Sequence, residues 1–198
     1  MKTKATDKYY ASDYLKFDEM RRTVKYLSDK GDKRFALLIA LGCFTGLRIG
    51  DLLRIKYSDL QRDCFFINEK KTNKLREIVI NPELRTIITN CVPENIYDKD
   101  KTIFSNIKGE ALSTQGINAR LKRIKKTLNI ACENFSCHSL RKGFSRQIYE
   151  DMGCTENALI YLQKILGHSS TAITIIYLGL QREIIRNLYM NLGQGVKL

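Results

Sequence analysis

The segment 165-ILGHSSTAITIIYLG-179 combines a glycine, a histidine, a pair of serines and an apolar run that ends in a tyrosine. The spacing of its apolar residues predicts a helix over 155–166, capped by Thr155, and a second helix over 170–178. Ser170 or Thr171 can cap the second helix, which carries Tyr177 nine residues after His168. The segment therefore predicts two consecutive helices with His168, which follows Gly167, in the turn between them.

Helical spacing recurs on both sides of this segment. The other predicted helices cover 16–30, 33–44, 48–60, 82–91, 113–129, 138–152 and 180–191. The pattern changes over 62–80, where two apolar stretches, Cys64 to Ile67 and Ile78 to Ile80, flank a charged turn and predict a β-hairpin. The chain is thus predicted to be mainly α with a small antiparallel β-sheet, in one domain without an internal boundary.

The charge of the chain indicates a polyanionic partner. The sequence has 34 Lys and Arg against 21 Asp and Glu, a formal net charge of +13. Such an excess favours nucleic acid over a membrane surface, because phosphate groups are the usual ligands of Lys and Arg surfaces. The densest cluster, 120-RLKRIKK-126, lies in a predicted helix and is a candidate for DNA contact or a solvated helix face. Its basic residues are Arg120, Lys122, Arg123, Lys125 and Lys126.

The cysteines and the apolar runs indicate the compartment. None of the six cysteines forms a CxxC pair, so the spacing of a zinc site is absent from the sequence. The beginning of the chain has no apolar stretch typical of a signal peptide. The longest apolar run, 35-FALLIALGCF-44, has ten residues and is too short to cross a bilayer. These features predict a cytoplasmic protein with reduced thiols and no membrane partner.

Several polar residues stand out against this background. Taken singly, each has a structural explanation as a surface arginine, a solvated lysine, a capping histidine or a core tyrosine. Together they could supply a phosphodiester transfer without a metal: guanidinium groups to clamp the phosphate, an acid for the leaving hydroxyl and a nucleophile. The candidates are Arg48, the hairpin lysines Lys70, Lys71 and Lys74, His138 and Arg141 on one helix face, His168, and Tyr177.

Three segments carry a resemblance to a known family. The stretches 45-TGLRIGDLL-53, 138-HSLR-141 and 166-LGHSSTAITIIY-177 resemble, in the same order, the catalytic domain of tyrosine site-specific recombinases, the phage integrase family. The resemblance covers nearly all of residues 16–190. It implies a catalytic domain of that fold, which recombines DNA at specific sites through a covalent 3′-phosphotyrosyl intermediate and needs no metal, ATP or other cofactor.

The resemblance also implies roles for the candidate residues. Arg48 and Arg141 are similar to the two arginines that clamp the phosphate, and His138 to the donor or general base beside it. His168 is similar to a further donor, and Tyr177 to the nucleophile. Among the hairpin lysines, Lys71 fits the general acid best because a threonine follows it, and Lys70 and Lys74 remain open. Asp51 is similar to a structural acidic residue that supports the arginine.

The resemblance leaves the organisation of the whole protein open. We expect a polar segment over 1–15, the catalytic domain over 16–178 and a tail helix over 179–198, which packs on its own domain or on a neighbouring protomer. Because few residues precede the first helix, the chain is either a catalytic fragment or a short single-domain member. The expected partner is double-stranded DNA with a specific core site. The protomers are expected to be monomeric when free and to form a homotetramer on paired sites. The expected location is a bacterial cytoplasm, in association with the nucleoid. The alternatives are DNA relaxation of the type IB topoisomerase kind and a non-catalytic DNA-binding module.

Overall fold

The computed structural model describes residues 14–106, 108–132 and 134–192, apart from the side chains of Arg182 and Glu183. Within these ranges the protein is mainly helical with one two-stranded antiparallel sheet, which confirms the predicted fold class. The elements in chain order are α1 (Phe17–Asp29), α2 (Lys33–Thr45), α3 (Ile49–Leu52), a 3-10 turn (Asp59–Gln61), β1 (Cys64–Asn68), β2 (Leu75–Val79), α4 (Pro82–Cys91), α5 (Thr114–Leu128), α6 (Cys137–Asp151), α7 (Glu156–Leu166), α8 (Thr171–Leu178) and α9 (Leu180–Met190).

The helix ends follow from local chemistry. Of the helix starts that the structure describes, four follow a residue whose side-chain oxygen accepts a backbone N–H of the first turn: Asn81, Ser113, Thr155 and Ser170. The predicted cap at Thr155 is confirmed, and Ser170 rather than Thr171 caps α8. Helix α7 ends at Leu166, and Gly167 after it has a positive φ of 67°, a conformation that glycine adopts without a steric penalty.

The hairpin is confirmed, and its register decides which residues face inward. Strands β1 and β2 pair antiparallel, with Phe65 opposite Ile78 and Ile67 opposite Arg76. Successive side chains of a strand point to opposite faces, so Phe65 and Ile67 lie on one face, and both are buried with Ile78. The other face is exposed, including the side chain of Phe66. The hairpin therefore packs on the core through one face only.

The predicted helix over 48–60 is wrong beyond its first turn. Helix α3 ends at Leu52, and the chain then runs beside the segment around 99–103. There Ser58 N–H donates to the Lys99 carbonyl at 2.8 Å, and Ile103 N–H donates to the Ile55 carbonyl at 3.0 Å. Backbone pairing with a distant segment has overridden the local helical pattern, which a single sequence does not reveal.

The chain forms two compact units, Asp13–Gln147 and a second unit that comprises, of the described residues, 148–192. The first unit has a large apolar core to which most residues of α2 contribute. The second has its own small core, formed by Tyr149, residues of α7 and the apolar residues Leu178 and Leu180. The predicted catalytic domain, 16–178, spans both units, and its limits stay a prediction. Most of the predicted segment 1–15 and the end of the predicted tail, 193–198, lie outside the described residues.

The six cysteines differ in their surroundings. Four are buried: Cys43, Cys91, Cys132 and Cys137. Burial raises the pKa of Cys43 and Cys91, and it raises that of Cys137 to about 11. The pKa of Cys64 is also raised, chiefly by its hydrogen bond with Glu77. Cys154 alone is exposed.

Along the parts of the chain that the structure describes, none of the helices has both the length and the apolar character needed to cross a bilayer.

Candidate active site

Arg48 is placed by a glycine turn at the end of α2. Gly46 adopts a left-handed conformation with φ 59°, and its N–H donates to the Gly42 carbonyl at 3.2 Å. One residue on, the Leu47 N–H donates to the Thr45 hydroxyl oxygen at 3.3 Å. Arg48 then takes the position before the first residue of α3, with an extended backbone. The turn therefore fixes where the Arg48 side chain starts.

Arg141 reaches the same turn from α6. A Cβ atom added to Gly46 would lie 2.2 Å from the Phe144 ring, and one added to Gly42 would lie 2.8 Å from Leu140. These contacts show that α6 approaches α2 as closely as glycine allows. The buried Arg141, which is 5% exposed, donates from Nη1 to the Gly46 carbonyl oxygen. The second predicted clamp arginine is thus tied to the turn that carries the first.

A buried carboxylate, Glu69, lies at the centre of this cluster. Its Oε2 atom accepts from Arg48 Nη1 at 2.9 Å and from the Thr72 hydroxyl at 2.8 Å. Its Oε1 atom lies 3.6 Å from Arg76 Nη1. Glu69 is only 3% exposed, so its charge is compensated by arginines rather than by water.

The pKa of Glu69 reports the strength of that compensation. Burial acts to raise this pKa, but the hydrogen bond from Thr72 and the charges of Arg48 and Arg141 outweigh burial, and the pKa lies below its ordinary value. Burial also lowers the pKa of Arg76, against the opposing effect of Glu69. An arginine keeps its proton at neutral pH even so. The cluster therefore consists of one carboxylate among three guanidinium groups.

The hairpin turn carries the three candidate lysines on the surface. Lys70, Lys71 and Lys74 are all exposed, and Asn73 closes the turn with a φ of 51°. The Lys70 N–H donates to the Asp51 Oδ1 atom at 3.0 Å. The turn is therefore anchored next to Lys71, although the lysine side chains reach into solvent.

Asp51 and His138 complete the predicted set in the first unit. Asp51 is buried and its Oδ1 also accepts from Arg54 Nη2 at 2.8 Å. The described ion pair of Arg48 is with Glu69, so the support of Arg48 by Asp51 stays a prediction. His138 is exposed on the first turn of α6, one turn before Arg141.

The second unit holds the other two predicted residues in a compact local arrangement. The His168 N–H donates to the Gln163 carbonyl at 3.0 Å, which fixes the backbone after Gly167. The Nδ1 atom of His168 lies 3.0 Å from the hydroxyl oxygen of Thr174, a residue with 0% exposure. The His168 ring is half-buried, and one ring nitrogen is thus held by a buried hydroxyl.

Tyr177 lies against His168. The two ring centroids are 5.2 Å apart with an interplanar angle of 70°, an edge-to-face contact. Both residues belong to one short stretch: His168 precedes the cap of α8, and Tyr177 lies in its last turn. The structure brings these two predicted residues together, as it does Arg48 and Arg141 in the first unit.

Sequence reasoning missed three residues of these arrangements: Glu69, Arg76 and Thr174. A signal for the first two was present, because Glu69 continues the inward alternation of Phe65 and Ile67 beyond the predicted strand. The register then places Arg76 opposite Ile67, on the same face. For Thr174, the signal was its spacing of one helical turn from Ser170 within an apolar run, which brings it under the turn that carries His168.

The basic residues of α5 differ in their contacts. Arg120 forms an ion pair with Asp32 and lies over the Phe35 ring, 4.3 Å from the ring centre. Three other basic side chains of the helix are exposed: Lys122, Arg123 and Lys126. Arg120 therefore has structural contacts of its own, and DNA contact by this helix stays a prediction.

Comparison with known families identifies the family to which the chain belongs. A model of the phage integrase family matches residues 13–183, and the chain belongs to this family. The match contains all six predicted catalytic residues, Arg48, Lys71, His138, Arg141, His168 and Tyr177.

Named relatives are integrases and recombinases. The chain is 30% identical over 184 residues to the probable integrase/recombinase YoeC of Bacillus subtilis, covering 89% of this chain and 93% of YoeC. It is 29% identical over 147 residues to the tyrosine recombinase XerH of Campylobacter jejuni, covering 73% of this chain but 40% of XerH. The chain therefore spans nearly all of one relative and less than half of the other.

A solved structure shares the fold. The structure of XerH bound to its difH substrate, in a pre-cleavage complex, superposes with a TM-score of 0.65 and 24% identity. The likeness covers 89% of this chain and 53% of that chain. The predicted catalytic fold of this family is thereby confirmed.

Proposed function

We propose that this chain cleaves and rejoins strands of double-stranded DNA at specific sites, through a covalent bond between Tyr177 and a 3′ phosphate. The observation that carries the proposal is membership of the phage integrase family over residues 13–183. A net charge of +13 supports DNA as the partner, and the XerH structure of the same fold is bound to DNA. The named relatives are an integrase and a recombinase, so DNA relaxation is not favoured.

The phosphate is bound by cations and hydrogen-bond donors. Arg48 and Arg141 each present a planar fork of N–H groups, which matches two oxygens of a phosphodiester. Their donors oppose the negative charge that builds on the non-bridging oxygens as the phosphorus becomes five-coordinate. His168 adds a further donor to the same oxygens. The buried setting of Arg141 makes these interactions stronger than they are in water.

The bond changes involve three residues. The Tyr177 oxygen forms a bond to phosphorus while the bond from phosphorus to the 5′ oxygen breaks. The phenolic proton passes to His138, and Lys71 gives a proton to the departing 5′ oxygen. A 5′-hydroxyl of a second strand then attacks the phosphotyrosine by the reverse route, so rejoining consumes no ATP.

The first prediction concerns the nucleophile. We expect wild-type protein, incubated with a pool of nicked duplexes of random sequence around the nick, to retain DNA covalently on a denaturing gel. Because of the nick, the short fragment that cleavage releases with a free 5′-hydroxyl diffuses away and cannot be rejoined, so the cleaved complex accumulates. Tyr177→Phe should abolish this band, because a phenyl ring has no attacking oxygen. Sequencing of the retained DNA would also identify the core site.

A matched variant controls for loss of structure. Tyr161 lies in the same unit with an exposed ring, so Tyr161→Phe should retain the covalent band. A band that persists in Tyr177→Phe would assign the nucleophile to another residue. Retention of DNA on a native gel without any covalent band would instead favour the non-catalytic DNA-binding module.

Assembly on DNA belongs to the same proposal. We infer that protomers, monomeric when free, join as a tetramer on paired DNA sites through α9. Leu180 at its start is buried in the second unit, whereas Ile185 and Leu188 are 47% and 64% exposed. An apolar face of this kind is unfavourable in water and favours a protein partner. The exposed basic residues of α5 are proposed to contact the DNA backbone.

The second prediction tests the tail helix. Ile185→Ser combined with Leu188→Ser should leave the free protein folded but prevent assembly of several protomers on DNA, as measured by sedimentation. The exposed Asn187, on the same helix, provides the control, and Asn187→Ala should assemble as wild type does. If the double variant unfolds in urea much earlier than wild type, the helix packs on its own protomer instead.

A further inference from the structure

We propose that Glu69 is a positioning residue for the reaction, and that with Asp51 it fixes the hairpin turn so that Lys71 acts together with Arg48. The inference rests on the proposed function and concerns residues of the first unit only. It assigns a role to a side chain outside the motifs that identify the family. It also selects Lys71 among the three hairpin lysines.

A single oxygen atom links the turn to the arginine. Oε2 of Glu69 accepts from Arg48 Nη1 at 2.9 Å and from the Thr72 hydroxyl at 2.8 Å. Movement of the turn away from Glu69 would lengthen the second bond, and movement of Glu69 would lengthen the first. The phosphate-binding guanidinium and the residue next to Lys71 are therefore held at a fixed separation.

A second carboxylate holds the other side of the same lysine. Asp51 Oδ1 accepts from the Lys70 N–H at 3.0 Å, and Asp51 is itself buried and paired with Arg54 at 2.8 Å. On each side of Lys71, the neighbouring residue is thus anchored to a buried carboxylate, Lys70 to Asp51 and Thr72 to Glu69. Lys74 lies after the turn, where its carbonyl accepts the Glu69 N–H at 3.0 Å in the ordinary manner of a hairpin.

Anchoring of the backbone matters because lysine is flexible. A four-carbon side chain on a mobile turn would spend little time within hydrogen-bond reach of the departing oxygen. Each degree of conformational freedom that is lost before the reaction therefore raises the rate of cleavage. The Lys71 side chain is exposed, so its position depends on the backbone that carries it. Two buried carboxylates supply that restraint before DNA binds.

Glu69 itself is a poor residue to change first. Arg48 and Arg76 both face its carboxylate, and removal of the negative charge would leave these two half-buried cations without that compensating charge. Thr72 offers a cleaner test, because Thr72→Val removes one hydrogen bond and keeps both the shape and the charge of the cluster. Thr72→Ser keeps the hydroxyl and serves as the conservative rescue.

The test compares two leaving groups. Single-turnover cleavage is measured on a nicked duplex with the natural 5′ oxygen at the cleaved phosphate, and on one with a 5′ sulfur. A thiolate leaves without a proton, because thiols have a pKa of about 8.5. We expect Thr72→Val to slow cleavage of the oxygen substrate about tenfold and of the sulfur substrate less than about twofold. Thr72→Ser should behave as wild type, and so should the control Thr89→Val on α4.

A measurement without DNA separates this inference from the proposed function. The Lys70 amide should exchange with solvent slowly in wild type, and faster by about tenfold in Thr72→Val, because the turn loses one of its two anchors. Rapid exchange in wild type would overturn the inference even if the enzyme is active. The inference would also be overturned if Thr72→Val slowed cleavage of the oxygen and sulfur substrates equally, or slowed neither. Slow amide exchange in a wild-type protein that forms no covalent complex would uphold the anchored turn and reject the proposed chemistry.

Discussion

The two regions that hold the predicted catalytic residues are built in opposite ways. In the first unit, Arg48, Glu69, Arg76 and Arg141 come from a helix turn, a hairpin and a distant helix, and they meet as buried or half-buried charges. In the second unit, the described contacts of His168 run to Gln163, Thr174 and Tyr177, all on α7, α8 or the turn between them. One arrangement depends on packing between distant segments, and the other on the ends of two consecutive helices.

This difference separates two ways of losing activity. The charged arrangement fails when the packing of α2, α6 and the hairpin changes, since a buried charge that loses its partner costs several kcal/mol. The local arrangement fails when a hydroxyl or a cap is lost, which costs about 1 kcal/mol. Variants in the first unit should therefore affect stability and activity together, and variants in the second should affect activity more than stability.

The largest effect is expected at Gly46. Gly46→Ala adds a methyl group 2.2 Å from the Phe144 ring on a backbone with φ 59°. Overpacking and the left-handed backbone should together lower the free energy of unfolding by about 3 kcal/mol. Cleavage should fall as well, because the Gly46 carbonyl accepts from Arg141. Urea unfolding and the covalent assay measure the two effects.

Gly31 gives the matched control for that variant. Its φ of 78° is also left-handed, but an added Cβ meets nothing within 4 Å. Gly31→Ala should therefore cost about 1 kcal/mol, from the backbone alone, and leave cleavage unchanged. Similar losses of stability in the two variants would mean that the close approach of α6 to α2 is unimportant.

A smaller effect is expected at Thr174. The hydroxyl oxygen lies 3.0 Å from His168 Nδ1 but 3.4 Å from the Ser170 carbonyl oxygen. The hydroxyl is therefore better placed to donate its single proton in a hydrogen bond to the ring nitrogen than to the carbonyl. Neutral His168 would then carry its own proton on Nε2, ready to donate to a phosphate. Thr174→Val should lower cleavage about tenfold with little loss of stability.

The proton position can be read directly. With only two histidines in the chain, nitrogen NMR spectra at alkaline pH should resolve both rings, and Thr174→Val should redistribute the proton between the His168 nitrogens. Thr171→Val, at the first position of α8, serves as the control. A wild-type ring protonated on Nδ1 would contradict the assignment.

The smallest effects are expected on α5. Lys122→Ala should weaken DNA binding and lower the salt dependence of the binding constant by about one unit, if this exposed side chain meets a phosphate. Arg120→Ala should leave the salt dependence unchanged, because Asp32 and the Phe35 ring already occupy that guanidinium. A change of salt dependence in Arg120→Ala would place this residue on the DNA.

The same contrast explains what could be predicted from the sequence. The stretch from His168 to Tyr177 has its geometry in its spacing, since a glycine end, a serine cap and two helical turns fix it. Glu69 and Arg76 acquire their role only when the hairpin register and the turn after α2 bring them to Arg48. The helix predicted over 48–60 failed for the same reason, because its backbone pairs with a segment some 40 residues later.

The distribution of thiols has a practical consequence for spectroscopy. Five of the six cysteines are buried or have a raised thiol pKa, and both properties slow their reaction with maleimides. The exposed Cys154 lies at the turn before α7, in the unit that carries Tyr177. A fluorophore would therefore attach there first in the unaltered protein. Energy transfer from that dye to a dye on the DNA would follow the unit that carries Tyr177 during the reaction in real time.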